Sequence, residues 1–76
     1  MSVFLLTFDR DAQRLVGLKE YPASRRKQAE DARFLAELEA LKSGQDLEIV
    51  TLEADSLDEL KQTHRSYFIE TLPLKR

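Results

Sequence analysis

His64 is the only imidazole in the chain, and it falls in a stretch whose apolar residues recur at helical spacing. A histidine that acts as a general acid or base needs a reacting group within reach and a carboxylate that orients it. Its helical neighbours are Leu60, Lys61, Tyr67 and Phe68, so no carboxylate shares its face. His64 and Tyr67 are therefore candidates for a polar site. A structural role for His64 is favoured over the alternative of an enzyme that uses it.

Three consecutive cations, Arg25, Arg26 and Lys27, fall in the first turn of a predicted long helix. Backbone N–H groups at a helix start bind phosphates and carboxylates, and cations strengthen such a site. This pattern predicts an anion-binding or nucleic-acid-binding site at Arg25, Arg26 and Lys27. The alternative is a solvated helix in which Arg26 pairs with Glu30 and Lys27 with Asp31 at i,i+4 spacing. We favour the second interpretation.

No other motif in the sequence predicts catalysis or a cofactor. The chain has no cysteine and one histidine, which argues against a structural zinc site. Its two glycines, Gly17 and Gly44, lie far apart and form no phosphate-binding loop. Asp9 and Asp11 resemble a turn more than a cation site, because the surrounding loop lacks further oxygen ligands. We expect no metal and no cofactor.

Length and charge restrict the class of protein further. A chain of 76 residues forms one domain with a small core, for which oligomerisation is a common remedy. The net charge is −2, with ten acidic residues between positions 28 and 60. This acidic middle disfavours nucleic-acid binding over the whole surface. The absence of a membrane span, a secretory leader and cysteine favours a soluble cytoplasmic protein.

Hydrophobic periodicity predicts an α+β fold with the element order ββαβα. The expected strands and helices cover residues 3–8, 14–21, 24–42, 47–52 and 57–68. With the first strand central, the sheet is mainly antiparallel with strand order 2-1-3, and both helices are expected on one face. Residues 1–68 form the predicted domain. Residues 69–76 are a predicted tail that docks either on the domain or on a partner subunit.

The first strand is apolar on both sides, and this predicts an oligomer. Phe4 and Leu6 point to one side, and Val3 and Leu5 to the other. Two helices on one face would leave the second face open, so a second copy of the chain is expected to cover it. Val3 and Leu5 are accordingly candidate interface residues.

The long helix carries two kinds of apolar residue. Four large side chains, hereafter called the apolar stripe, are expected to pack against the sheet: Phe34, Leu35, Leu38 and Leu41. Ala29, Ala36 and Ala40 lie on the opposite side, either as a close-packed dimer interface or as exposed helix formers.

These features together favour a non-catalytic interaction or regulatory module that acts as a homodimer or higher oligomer. Another protein is the second kind of partner considered. The alternative function is an anion or nucleic-acid binding protein that uses the start of the long helix.

Overall fold

A computed structural model describes residues 1–68, and the predicted tail lies outside the described residues. Short 3-10 turns follow β2 and α2. The elements in chain order are β1 (Ser2–Asp9), β2 (Arg14–Pro22), the turn Ala23–Arg25, α1 (Arg26–Ser43), β3 (Leu47–Ala54), α2 (Leu57–Thr63) and the turn Arg65–Tyr67.

The three strands form one sheet in the order β2-β1-β3, and β1 pairs antiparallel with both neighbours. Leu6, near the middle of β1, lies opposite Leu18 of β2 and Val50 of β3. The predicted α+β class, element order and strand order are therefore confirmed. The most apolar strand takes the central position because only there are both of its edges paired and both of its faces available for packing.

A bulge interrupts the pairing of β2 with β1. Thr7 lies opposite Gly17, but Phe8 lies opposite Leu15, so Val16 is the extra residue. A Cβ atom on Gly17 would lie 3.2 Å from the Thr7 side chain, so glycine suits this close approach. The bulge also turns Leu15 to the same side of the sheet as Phe8, where it joins the core.

The two helices lie on opposite faces of the sheet, and the expectation that both share one face is wrong. Phe4 and Leu6 pack with Leu60 of α2. Val3, from the alternate side of β1, packs with Ala29 of α1. Because β1 is apolar on both sides, each face has a layer of its own, and the chain supplies both layers.

The orientation of α1 is the reverse of the prediction. Ala29 and Ala40 are buried against the sheet, whereas every residue of the apolar stripe is exposed. The face of the sheet below α1 is partly polar, because Lys19, Thr51 and Glu53 share it with the apolar residues. A helix face of small side chains can approach such a surface closely, and bulky leucines would find few apolar partners there.

The helix ends follow the sequence signals only in part. Gly44 ends α1 in the left-handed conformation, with φ of 74°, as expected for a C-cap glycine. The hydroxyl of Ser56 accepts a hydrogen bond of 3.1 Å from the Glu59 N–H at the start of α2, which is the contact that the S-x-x-E spacing of these two residues favours. However, α2 ends at Thr63, so His64 and the following residues do not extend one continuous helical face to residue 68.

The orientation of α1 can be tested by enlarging one buried alanine and one exposed alanine and comparing the stability of the two variants. Ala29→Leu should lower the free energy of unfolding by about 1–3 kcal/mol, because the added atoms have no space between α1 and the sheet. Ala12→Leu, in the exposed turn between β1 and β2, is the matched control and should change it by less than about 0.5 kcal/mol. Urea unfolding at equal protein concentration measures both. Equal stability of the two variants would contradict the buried position of Ala29.

Candidate functional site

The apolar stripe is the most prominent exposed apolar feature of the described residues. The exposed fractions of its residues are 59% for Phe34, 61% for Leu35, 38% for Leu38 and 79% for Leu41. Exposed apolar residues are ordinary when they are scattered singly. These four are consecutive on one side of a single helix, so they form a contiguous patch of the kind that marks an interaction surface.

Polar contacts between α1 and β3 hold the stripe away from the sheet. Arg26 forms an ion pair with Glu53, and the Thr51 hydroxyl donates a hydrogen bond of 2.9 Å to Glu30. Glu30 also accepts a bond of 3.0 Å from Arg33. The hydrogen bonds from Arg33 and then Thr51 lower the pKa of Glu30. Together with the buried alanines, these contacts fix the rotation of α1 about its own axis.

Charged residues border the stripe at both ends. Lys27 and Asp31 form an i,i+4 ion pair of 3.2 Å in the first half of α1. Lys42 lies in the last turn of α1, next to Leu41. An apolar centre with charged residues at its margins is the usual composition of a protein interaction surface.

The structure places the three cations of the predicted anion site at the start of α1, but it also gives two of them carboxylate partners. Arg26 contacts Glu53 and lies 3.9 Å from Glu30, and Lys27 pairs with Asp31. Arg25 precedes the helix as its N-cap and provides no side-chain cap. The expected i,i+4 pairs at Arg26 and Lys27 are therefore present.

His64 and Tyr67 are linked through the backbone. The N–H of Tyr67 donates a bond of 3.2 Å to the carbonyl of His64. The hydroxyl of Tyr67 turns elsewhere and donates a bond of 2.5 Å to Glu48. Within residues 1–68, no side-chain hydrogen bond joins His64 to a carboxylate.

Tyr67 instead belongs to a polar cluster at one end of the sheet. Arg10 lies 2.8 Å from Asp46 and 3.9 Å from the same Glu48 that accepts from Tyr67. The hydrogen bond to Glu48 raises the pKa of Tyr67, and burial adds to this effect. The Tyr67 ring meets Phe8 edge to face, with centroids 5.7 Å apart. Sequence reasoning missed this cluster because its members come from separate elements with no shared spacing.

The interface residues expected from the sequence lie mostly inside the monomer. Val3, Ala29 and Ala40 are buried, and Leu5 and Ala36 are half-buried. The face of the sheet that was expected to be open is covered by α1 of the same chain. Val3 and Ala29 are therefore inaccessible to a second copy. The apolar residues of α1 that are accessible are those of the apolar stripe on its outer side.

Metal-ligand clusters and membrane-spanning helices are both absent from the described part of the chain. Residues 1–68 contain no group of three or more histidine, cysteine, aspartate or glutamate side chains arranged to hold a metal ion. None of the helices in this range is long and apolar enough to cross a membrane.

The chain matches no protein-family model, and neither the curated proteins nor the solved structures gave a significant match.

The contact between Tyr67 and Glu48 predicts a stability difference that depends on pH. Tyr67→Phe should lower the free energy of unfolding by about 0.5–1.5 kcal/mol near pH 8, because Glu48 loses a donor. Tyr67 has a raised pKa in the folded state, so its contribution is full below its ordinary pKa of 10.0 and is lost as the pH rises through the folded value. Urea unfolding between pH 8 and pH 12 should therefore show the two proteins converging. A difference that stays constant over this range would contradict the assignment.

Proposed function

We propose that this protein is a non-catalytic interaction or regulatory module that acts in the cytoplasm as a homo-oligomer. The observation that supports the proposal most directly is the exposed apolar stripe on α1. A small chain gains little stability from its own core, so burial of four more large side chains would be a substantial addition. The lack of cysteine is compatible with a reducing compartment.

The edge strand β2 is a poorer candidate for contact between copies. Its bulge at Val16 disturbs the regular row of backbone donors and acceptors, and Pro22 at its end lacks an N–H group. Lys19 and Glu20 add charge to the same strand. These features discourage the addition of another strand, so we assign the interaction to α1.

The alternative function, binding of an anion or nucleic acid, requires cations that are available to a ligand. Arg26 and Lys27 already contact carboxylates of the same chain, and an anion would have to compete with Glu53 and Asp31 for them. Burial of the apolar stripe requires no such competition. The interaction module is therefore the better supported proposal.

The proposed function predicts that one charge on the stripe separates the copies. Wild type should show twice the monomer mass of 8.8 kDa in sedimentation equilibrium, and Leu41→Glu should dissociate at least about ten-fold more readily. The reason is that the new carboxylate would be buried without a partner. Because Leu41 is the most exposed residue of the stripe, the fold should tolerate the change, and circular dichroism checks this.

Val16→Glu is the matched control, since it adds the same charge to a half-exposed apolar position on β2. It should leave the dimer intact. A wild type that stays monomeric up to millimolar concentration would refute the proposal. Dissociation by Val16→Glu but not by Leu41→Glu would move the contact to the β2 edge.

A further inference from the structure

We infer that α1 of a second copy covers the apolar stripe in antiparallel orientation, with Asp31 of each copy paired to the partner's Lys42. The inference rests on the proposed homo-oligomeric function and specifies its partner and geometry. A two-fold axis relates the two copies, so each ion pair between them occurs twice.

The spacing of the residues on the outer side of α1 suits pairing with another helix. The sequence spacing along this side alternates between three and four, as in the heptad repeat of paired helices. The residues with this spacing are Asp31, Phe34, Leu38 and Leu41. In an antiparallel pair centred near Ala36, Phe34 lies level with the partner's Leu38, and Asp31 lies level with the partner's Leu41. The apolar residues then form the middle of the interface, and the charges lie at its ends.

The placement of charge decides between the two orientations. At 3.6 residues per turn, Asp31, Leu35 and Lys42 fall within about 40° of one another around α1. An antiparallel partner therefore brings its Lys42 beside Asp31, with an offset of about 1.5 Å along the helix axis. Asp31 would then be shared between the partner's Lys42 and Lys27 of its own chain. A parallel partner would instead place Asp31 beside the partner's Asp31, and like charges in contact are unfavourable.

The ends of α1 favour the same orientation. Three cations lie at its N-terminal end, where the helix dipole is already positive. A parallel pair would bring two such ends together. An antiparallel pair places each basic end beside the partner's C-terminal end, where the dipole is negative.

The position of Phe68 argues against the end of the same chain as the occupant. Phe68 packs with the cluster on the α2 side of the sheet. The stripe lies on the far side of α1, beyond the opposite face.

Cysteine cross-linking tests the orientation without interference, because the chain has no native cysteine. Asp31→Cys and Leu41→Cys proteins are mixed and oxidised, and the disulfides are identified by mass spectrometry. An antiparallel pair should give mainly the mixed disulfide between position 31 and position 41. A parallel pair would give only 31–31 and 41–41 disulfides, because positions 31 and 41 would be about 15 Å apart along the axis.

Charge exchange tests the ion pair between the copies. Asp31→Lys and Lys42→Asp, each alone, should weaken the dimer at least about three-fold, because each creates two like-charged contacts. The double variant, with both changes in one chain, should regain most of the affinity in the antiparallel arrangement. Asp11→Lys, in the exposed β1–β2 turn, carries the same charge change away from α1 and should leave the dimer unaffected.

The outcomes separate this inference from the proposed function. A dimer in wild type with only 31–31 and 41–41 disulfides, or with no recovery in the double variant, would overturn the antiparallel geometry alone. A wild type without any dimer would overturn the proposed function as well. A dimer that forms only when residues 69–76 are present would assign the contact to that segment.

Discussion

The apolar character of β1 on both of its faces is the constraint on which the rest of the structure depends. Phe4 and Leu6 on one side and Val3 on the other are all nearly inaccessible to solvent. A central strand with two such faces requires a layer above and a layer below the sheet. The chain meets this requirement with one helix on each face. The result is a three-layer structure with two small cores separated by the sheet.

The two layers are not equivalent. The α2 side holds the larger side chains, including Phe4, Leu6 and Leu60, and is the main hydrophobic core. The α1 side is closed by alanines and by contacts such as those of Glu30 with Thr51 and Arg33. Alanine allows α1 to approach a partly polar sheet closely, but it buries little area per residue. The long helix therefore packs its small residues into the core of the monomer and leaves its large apolar residues exposed.

Polar contacts complete the end of the sheet near the β1–β2 turn. Arg10 connects the turn to Asp46, the residue before β3, and Glu48 accepts a hydrogen bond from the Tyr67 hydroxyl. Most of these groups are half exposed, so each contact alone is weak in water. Their combined effect is to seat the Tyr67 ring against Phe8, which extends the α2-side core to the end of the central strand.

The sequence by itself determined the element order and the strand order. The apolar run from Val3 to Phe8 placed the first strand at the centre, and Ser56 and Gly44 marked helix ends through local backbone hydrogen bonding. Such signals depend on neighbouring residues, so they can be interpreted from one chain. The end of α2 at Thr63 was missed, because the helical periodicity of the apolar residues continues beyond it.

Tertiary structure alone decided which face each helix covers and which side of α1 turns inward. An amphipathic pattern shows that two sides of a helix differ, but the sheet below determines which of them fits. The polar members of that sheet face, Thr51 and Glu53, come from a strand that follows α1 in the chain, and no spacing rule connects them to Arg26 or Glu30. For this reason the sequence located the apolar stripe, and only the packed fold placed it on the surface.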